Sequence, residues 1–207
     1  ICGNGAADLI FFFFLAQNPK KALLLAPTFA EYEQALVSVG CEIARYYLEE
    51  TADFCVREDY LQILQKEKPD IIFLCNPNNP TGITMPQGLL ERILRSCAKL
   101  GIFMVVDECF LDFVREPEKH SLKKKLEEYP NLFLLKAFTK RYAIPGVRLG
   151  YGFCSDSSVL ERMEAVTQPW NVSTMAQQAG LAALEETEYV EEGRQLIFRE
   201  SAWMKEK

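Results

Sequence analysis

Two lysines stand four residues apart in the stretch LLKAFTKRYAIPGVRLGYG, residues 134–152, and an arginine follows the second by eight positions. A desolvated lysine amine forms imines with carbonyl groups readily. A guanidinium fork matches the oxygens of a phosphate or carboxylate. Lys136 and Lys140 are therefore candidate nucleophiles, and Arg148 is a candidate anion grip. The chain's one histidine, His120, sits in the charged stretch REPEKHSLKKK. A single histidine and the lack of any C-x-x-C pair argue against most zinc sites and histidine-based triads. The chemistry must then rest on lysine, aspartate, tyrosine or a cofactor.

Three further stretches carry polar groups where a ligand could meet them. Asp107 and Glu108 close the apolar run IFMVV. A carboxylate at the end of a buried strand is costly unless it is paired or opens into a cleft, so Asp107 reads as a site residue or as half of a salt bridge. NPNNPTG, residues 76–82, is dense in turn formers. Asn78 and Asn79 follow an apolar strand there and could face a ligand, or the loop could be a turn alone. GNGAAD, residues 3–8, lacks the third glycine of a dinucleotide-binding loop, and only two residues precede its first. It reads as small residues opening a helix, either presenting N–H groups to an anion or forming an ordinary loop-to-helix junction.

The elements that would position these groups alternate. Strand-like apolar runs cover 21–27, 41–48, 70–76, 102–108, 131–138 and 146–153. Helical patterns cover 6–16, 29–40, 57–68 and 85–101, two of them closed by glycine, and 156–206 reads mostly helical. The strands are apolar throughout rather than on alternate residues, which marks a mainly parallel sheet covered on both faces, an α/β fold. In such sheets ligands collect beyond the carboxyl ends of the strands. NPNNPTG, Asp107 and Lys140 all fall there.

The 207 residues carry a net charge of −6, which argues against a general nucleic-acid or anionic-membrane surface. Seven cysteines, an odd count mostly inside apolar runs, read as buried reduced thiols of a cytoplasmic protein. The apolar stretch 6–16 contains Asp8 and is too short to span a bilayer, so it reads as a buried helix. The start without methionine and the charged ending RESAWMKEK suggest a piece of a longer protein.

Taken in order, GNGAADLIF, PTFAEY, NPNNPTG, VDECFLDF, TKRYAIPGVRLGYG and PWNVSTMAQQAGLAAL resemble the fold-type I pyridoxal-phosphate enzymes of the class I/II aminotransferase group. Within that group the chain is most similar to threonine-phosphate decarboxylases and histidinol-phosphate aminotransferases. The resemblance implies a three-layer α/β/α large domain over 1–207, with about 190–207 starting the connection to a small domain. The amino-terminal arm and most of the small domain would lie outside the chain. It implies pyridoxal 5′-phosphate as cofactor, with Lys140 as the lysine that condenses with it, after Thr139 and eight residues before Arg148. Lys136 falls where relatives often carry a basic residue of lesser role. Arg148 would grip the phosphate, together with Thr139 and the N–H groups of Ala6 and Ala7. Asp107 would pair with the ring nitrogen, Asn79 with the ring oxygen, and Tyr32 would stack on the ring face, with Phe29 as the lesser alternative.

Three positions depart from the group's pattern: Phe110 where transaminating relatives usually have tyrosine, Ala137 where a phosphate-binding hydroxyl is common, and Ala7 where an acidic residue is frequent. Phe110 and PTFAEYEQAL lean toward decarboxylation of L-threonine O-3-phosphate, giving an aminopropanol phosphate for cobalamin. Histidinol-phosphate or related transamination is the alternative, and a catalytically incomplete piece of such an enzyme is a second one. A phosphorylated amino acid as substrate and a homodimer in the full-length protein are further implications; neither a nucleic acid nor a membrane is expected as a partner.

Overall fold

The runs at 21–26, 71–75, 103–107 and 132–137 become strands because each is rich in Leu, Ile, Val and Phe and is buried on both sides, whereas the edge strand at 42–47, EIARYY, is largely exposed. The computed structural model describes residues 1–206. In chain order the elements are β1 (Cys2–Gly3), α1 (Ala6–Gln17), β2 (Lys21–Ala26), α2 (Ala30–Ser38), β3 (Glu42–Tyr47), α3 (Tyr60–Glu67), β4 (Ile71–Cys75) and α4 (Gln87–Leu100). They continue with β5 (Phe103–Asp107), β6 (Leu132–Ala137), α5 (Phe138–Arg141), β7 (Gly150–Phe153), α6 (Ser157–Val166), α7 (Thr174–Ala183) and α8 (Thr187–Lys205). The seven strands form one sheet in the order β1-β7-β6-β5-β4-β2-β3. Strands β6 through β3 in that order run parallel, and β7 is antiparallel to both its neighbours.

Period-two alternation sorts the strand residues between two cores. Leu23, Leu25, Ile72, Leu74, Met104, Val106, Leu132 and Leu134 pack against α3 and α4 on one face. Leu24, Ile71, Phe73, Val105, Phe133 and Leu135 pack against α1, α2 and α6 on the other. This is the three-layer α/β/α arrangement expected of apolar parallel strands.

Helix α1 shows why its phenylalanine run is not a membrane segment. Leu9, Ile10, Phe13 and Phe14 are buried against Phe73, Phe103 and Phe133. Each such burial contributes about 2–3 kcal/mol. Among the described residues no helix is long and apolar enough to cross a membrane. Helix α4 buries Leu89, Leu90, Ile93, Leu94 and Cys97, a stripe of helical period, and ends at Gly101 in the left-handed conformation. A third, smaller cluster joins Phe138, Tyr142 and Leu149 to Ala183 of α7 and Val190 of α8.

Two expectations need correction. The strand read from 146 begins only at Gly150, because Pro145–Val147 form a 3-10 turn and Arg148 is left-handed. The strand read to 138 stops at Ala137, where α5 begins. The cysteines are all free thiols, but Cys2 is exposed while Cys41, Cys75, Cys97 and Cys109 are buried.

Candidate active site

Strands β4, β5 and β6 end side by side, with Cys75 paired in register to Asp107 and Asp107 to Leu135. A cavity of about 230 Å³ opens at this edge. Asp107 and Cys75 reach it from the strands, Asn79 from the loop after β4, and Thr139 and Lys140 from α5. Ala6 and Ala7 reach it from the start of α1, Tyr32 from α2 and Arg148 from the turn before β7. The structure thus brings together all eight positions singled out from the sequence. Ile10, Phe29, Glu31, Cys109, Phe110 and Ala137 complete the wall.

The start of α1 is shaped to receive an anion. No side chain caps it, so its first N–H groups are unpaired by side chains. The N-cap is Gly5, at φ 92°. A Cβ there would lie 2.4 Å from Nη2 of Arg148, so glycine alone lets the guanidinium lie against the helix mouth. Gly150 performs the matching service for β7, since a Cβ on it would lie 2.5 Å from the Ala6 nitrogen. Arg148 itself is held at φ 58° and its Nη1 donates to the Pro145 carbonyl at 3.1 Å. The remaining N–H groups of its fork are free to hold an anion.

Asp107 is 6% exposed. The Cys109 N–H donates to its Oδ1 at 2.8 Å, and the Tyr32 hydroxyl to its Oδ2 at 2.7 Å. Burial raises its carboxyl above the usual range, opposed by the Cys109 and Tyr32 hydrogen bonds and the nearby Lys140 charge. Burial also pushes the Cys75 thiol up to about 12 and the Cys109 thiol well above its ordinary value, so neither is a ready nucleophile. Lys140 has its Nζ 5.2 Å from the centre of the Phe110 ring.

The two lysines differ in kind. Lys136 Nζ lies 3.2 Å from Oε2 of Glu108, which is 0% exposed. Glu108 also accepts from the Ser121 hydroxyl at 2.9 Å and the Leu122 N–H at 3.0 Å. That pair is fully engaged, whereas Lys140 faces open space. Of the two asparagines, Asn78 is engaged too: its amide donates to the Pro27 carbonyl and Thr81 and accepts from Thr28. Asn79, unlike Asn78, lines the cavity.

Tyr32 does not offer a free face. It is 0% exposed and its ring stacks on Phe73 at 4.0 Å, with Phe29 edge-on at 5.5 Å. Phe29, half-buried at the mouth of α2, is the ring left to face a ligand. Glu31, which sequence reasoning missed, lines the same wall. Its signal was present, since it lies in the PTFAEY stretch between Phe29 and Tyr32.

The sequence pattern of the family described as "Aminotransferase class I and II" matches residues 1–207. The chain belongs to that family. It is a family of pyridoxal-phosphate-dependent enzymes. Over 187 residues the chain is 38% identical to the threonine-phosphate decarboxylase of Salmonella typhimurium, covering 90% of this chain and 50% of that one. It is 35% identical over 204 residues to a histidinol-phosphate aminotransferase of Desulfitobacterium hafniense, covering 95% of this chain and 54% of that one. The crystal structure of the histidinol-phosphate aminotransferase from Clostridium acetobutylicum superposes with a TM-score of 0.90 at 30% identity, over 100% of this chain and 60% of that one. The chain spans about half the length of the curated relatives it matches.

The cavity suits the family's cofactor on its own chemistry. An uncapped helix start and a guanidinium answer a phosphate, a buried carboxylate answers a protonated ring nitrogen, and an open lysine answers an aldehyde. This aminotransferase-family site therefore holds donors and acceptors of the types that pyridoxal phosphate presents.

Proposed function

We propose that the chain carries the cofactor site of a pyridoxal-phosphate enzyme acting on a phosphorylated amino acid, with L-threonine O-3-phosphate decarboxylation as the reading best supported. The convergence of Lys140, Asp107 and Arg148 on one cavity carries this reading. Lys140 is the catalytic lysine. Arg148, the Ala6 and Ala7 N–H groups and the Thr139 hydroxyl hold the phosphate. Asp107 accepts from the ring nitrogen, Asn79 donates to the ring oxygen, and Phe29 covers the ring face.

When bound, the cofactor supplies an electron sink that labilises one bond at the substrate's Cα. The chain's residues then keep charge where it is needed. Ionised Asp107, steadied by two donors, keeps a proton on the ring nitrogen. Lys140, with Nζ over the Phe110 ring, is the amine that moves the proton at the substrate carbon. Phe110 brings no hydroxyl, so Asn79 is the side-chain donor left for the ring oxygen.

The choice of decarboxylation over transamination is supported by the 38% identity to the Salmonella typhimurium threonine-phosphate decarboxylase and by phenylalanine at 110. The product would be an aminopropanol phosphate of the kind used for cobalamin. A homodimer in the cytoplasm is proposed on the family resemblance.

Incubating the protein with pyridoxal phosphate and L-threonine O-3-phosphate should release carbon dioxide. Histidinol phosphate with 2-oxoglutarate should give little glutamate. Glutamate formation without carbon dioxide would replace the decarboxylase reading with the aminotransferase one.

A further inference from the structure

We propose that Tyr32 is a positioning residue for the cofactor's ring nitrogen, acting through Asp107 rather than touching the ring. This rests on the cavity being the cofactor site. The hydroxyl lies 2.7 Å from Oδ2 of Asp107, and the Cys109 N–H lies 2.8 Å from Oδ1. Both carboxylate oxygens thereby accept a bond from inside the protein. With a donor on each oxygen, the carboxylate cannot rotate without losing a hydrogen bond.

The tyrosine is itself immobilised. Its ring stacks on Phe73 at 4.0 Å and 25° between planes, and none of it is exposed. Burial and the Asp107 charge hold its hydroxyl well above the ordinary range, so it keeps its proton and serves as a donor. The Cys109 thiol bonds the carboxylate as well, beside the N–H of the same residue. The Cys75 thiol from β4 and the Lys140 amine from α5 also face Asp107.

A core-filling role would need only the ring, and phenylalanine would supply it. Tyr60 provides the contrast. It is equally buried on the opposite face, yet its hydroxyl has no partner. The Tyr32 hydroxyl has one, and that partner is the carboxylate at the cavity.

The experiment measures equilibrium binding of two ligands by fluorescence quenching. One is pyridoxal 5′-phosphate; the other is its analogue with carbon in place of the ring nitrogen. Tyr32→Phe should weaken pyridoxal phosphate about tenfold, as for one hydrogen bond to a charged group, and leave the analogue unchanged. In an Asp107→Asn background the Tyr32→Phe change should add nothing, and Tyr60→Phe should alter neither ligand. Equal losses for both ligands, or no loss, would overturn the proposal. So would a Tyr32→Phe loss that persists in Asp107→Asn. Should Tyr32→Phe not fold, Asp107→Asn alone decides: an unchanged affinity ratio of the two ligands overturns the proposal. A wild-type protein that binds neither ligand would instead refute the cofactor site itself.

Discussion

Asp107 and Glu108 are neighbours on the chain, yet they leave β5 on opposite faces of the sheet and face different lysines. Glu108 is closed in: Lys136, Ser121 and the Leu122 N–H use its oxygens, and water has no access to it. Asp107 is open on one side: Tyr32 and Cys109 donate to its oxygens, and the cavity with Lys140 lies beyond. The same two charge types thus give a structural clamp on one face and the candidate site on the other. What separates them is whether the hydrogen-bonding capacity is exhausted within the protein.

The largest expected effect falls on the open side. Lys140→Ala should lower turnover by about 10³-fold or more, because on the proposed assignment it removes the covalent attachment of the cofactor. Its stability should change by no more than about 0.5 kcal/mol, as for an exposed residue. On the closed side the effects reverse. Lys136→Met leaves Glu108 buried without its cation, and urea unfolding should show a loss of about 3 kcal/mol. Adding Glu108→Leu should recover most of it, since an apolar pair of similar volume can replace a buried ion pair. If Lys136→Met unfolded no more easily than wild type, the clamp would not be one.

The next effect is at the mouth of α1. Gly5→Ala combines a Cβ 2.4 Å from Arg148 with a φ of 92°, so it should cost about 2 kcal/mol. It should also weaken pyridoxal phosphate about tenfold by displacing the guanidinium. Calorimetry and fluorescence titration would read the two effects separately.

The smallest effect lies in the thiols, one on each face. Burial raises Cys97 and Cys75 from 9.0 to about 12. Each stays neutral in the folded chain while ionising near its ordinary value when unfolded. The stability each supplies is complete below pH 9.0 and is lost as pH rises toward about 12. Near pH 10, Cys97→Val should lessen the alkaline loss by about 1 kcal/mol and leave cofactor binding alone. Cys75→Val should lessen it similarly but also perturb binding, because Cys75 lines the cavity.

Much of this arrangement was legible in the chain itself. The runs around Ile71–Cys75 and Phe103–Asp107 are continuous apolar stretches bounded by polar loops, so their strands and the polar groups at their ends followed from burial alone. Lys140 and Arg148 stood out only through the resemblance to the aminotransferase group, with Thr139 before the lysine and the arginine eight residues after it. What was not legible depended on distant contacts. Cys2–Gly3 is a strand only because β7 pairs with it. Lys136 and Lys140 look alike until Glu108 arrives beside one of them. Tyr32 and Phe29 are both aromatic and three residues apart; only Phe73, beneath Tyr32, decides which ring is buried and which faces the cavity.

The most direct measurement is reduction of the pyridoxal phosphate complex with borohydride, followed by peptide mass mapping of the modified lysine. The modification should fall on Lys140, with Lys136 unmodified. A cofactor fixed on Lys136, or on neither lysine, would contradict the assignment of the open cavity as the reactive site.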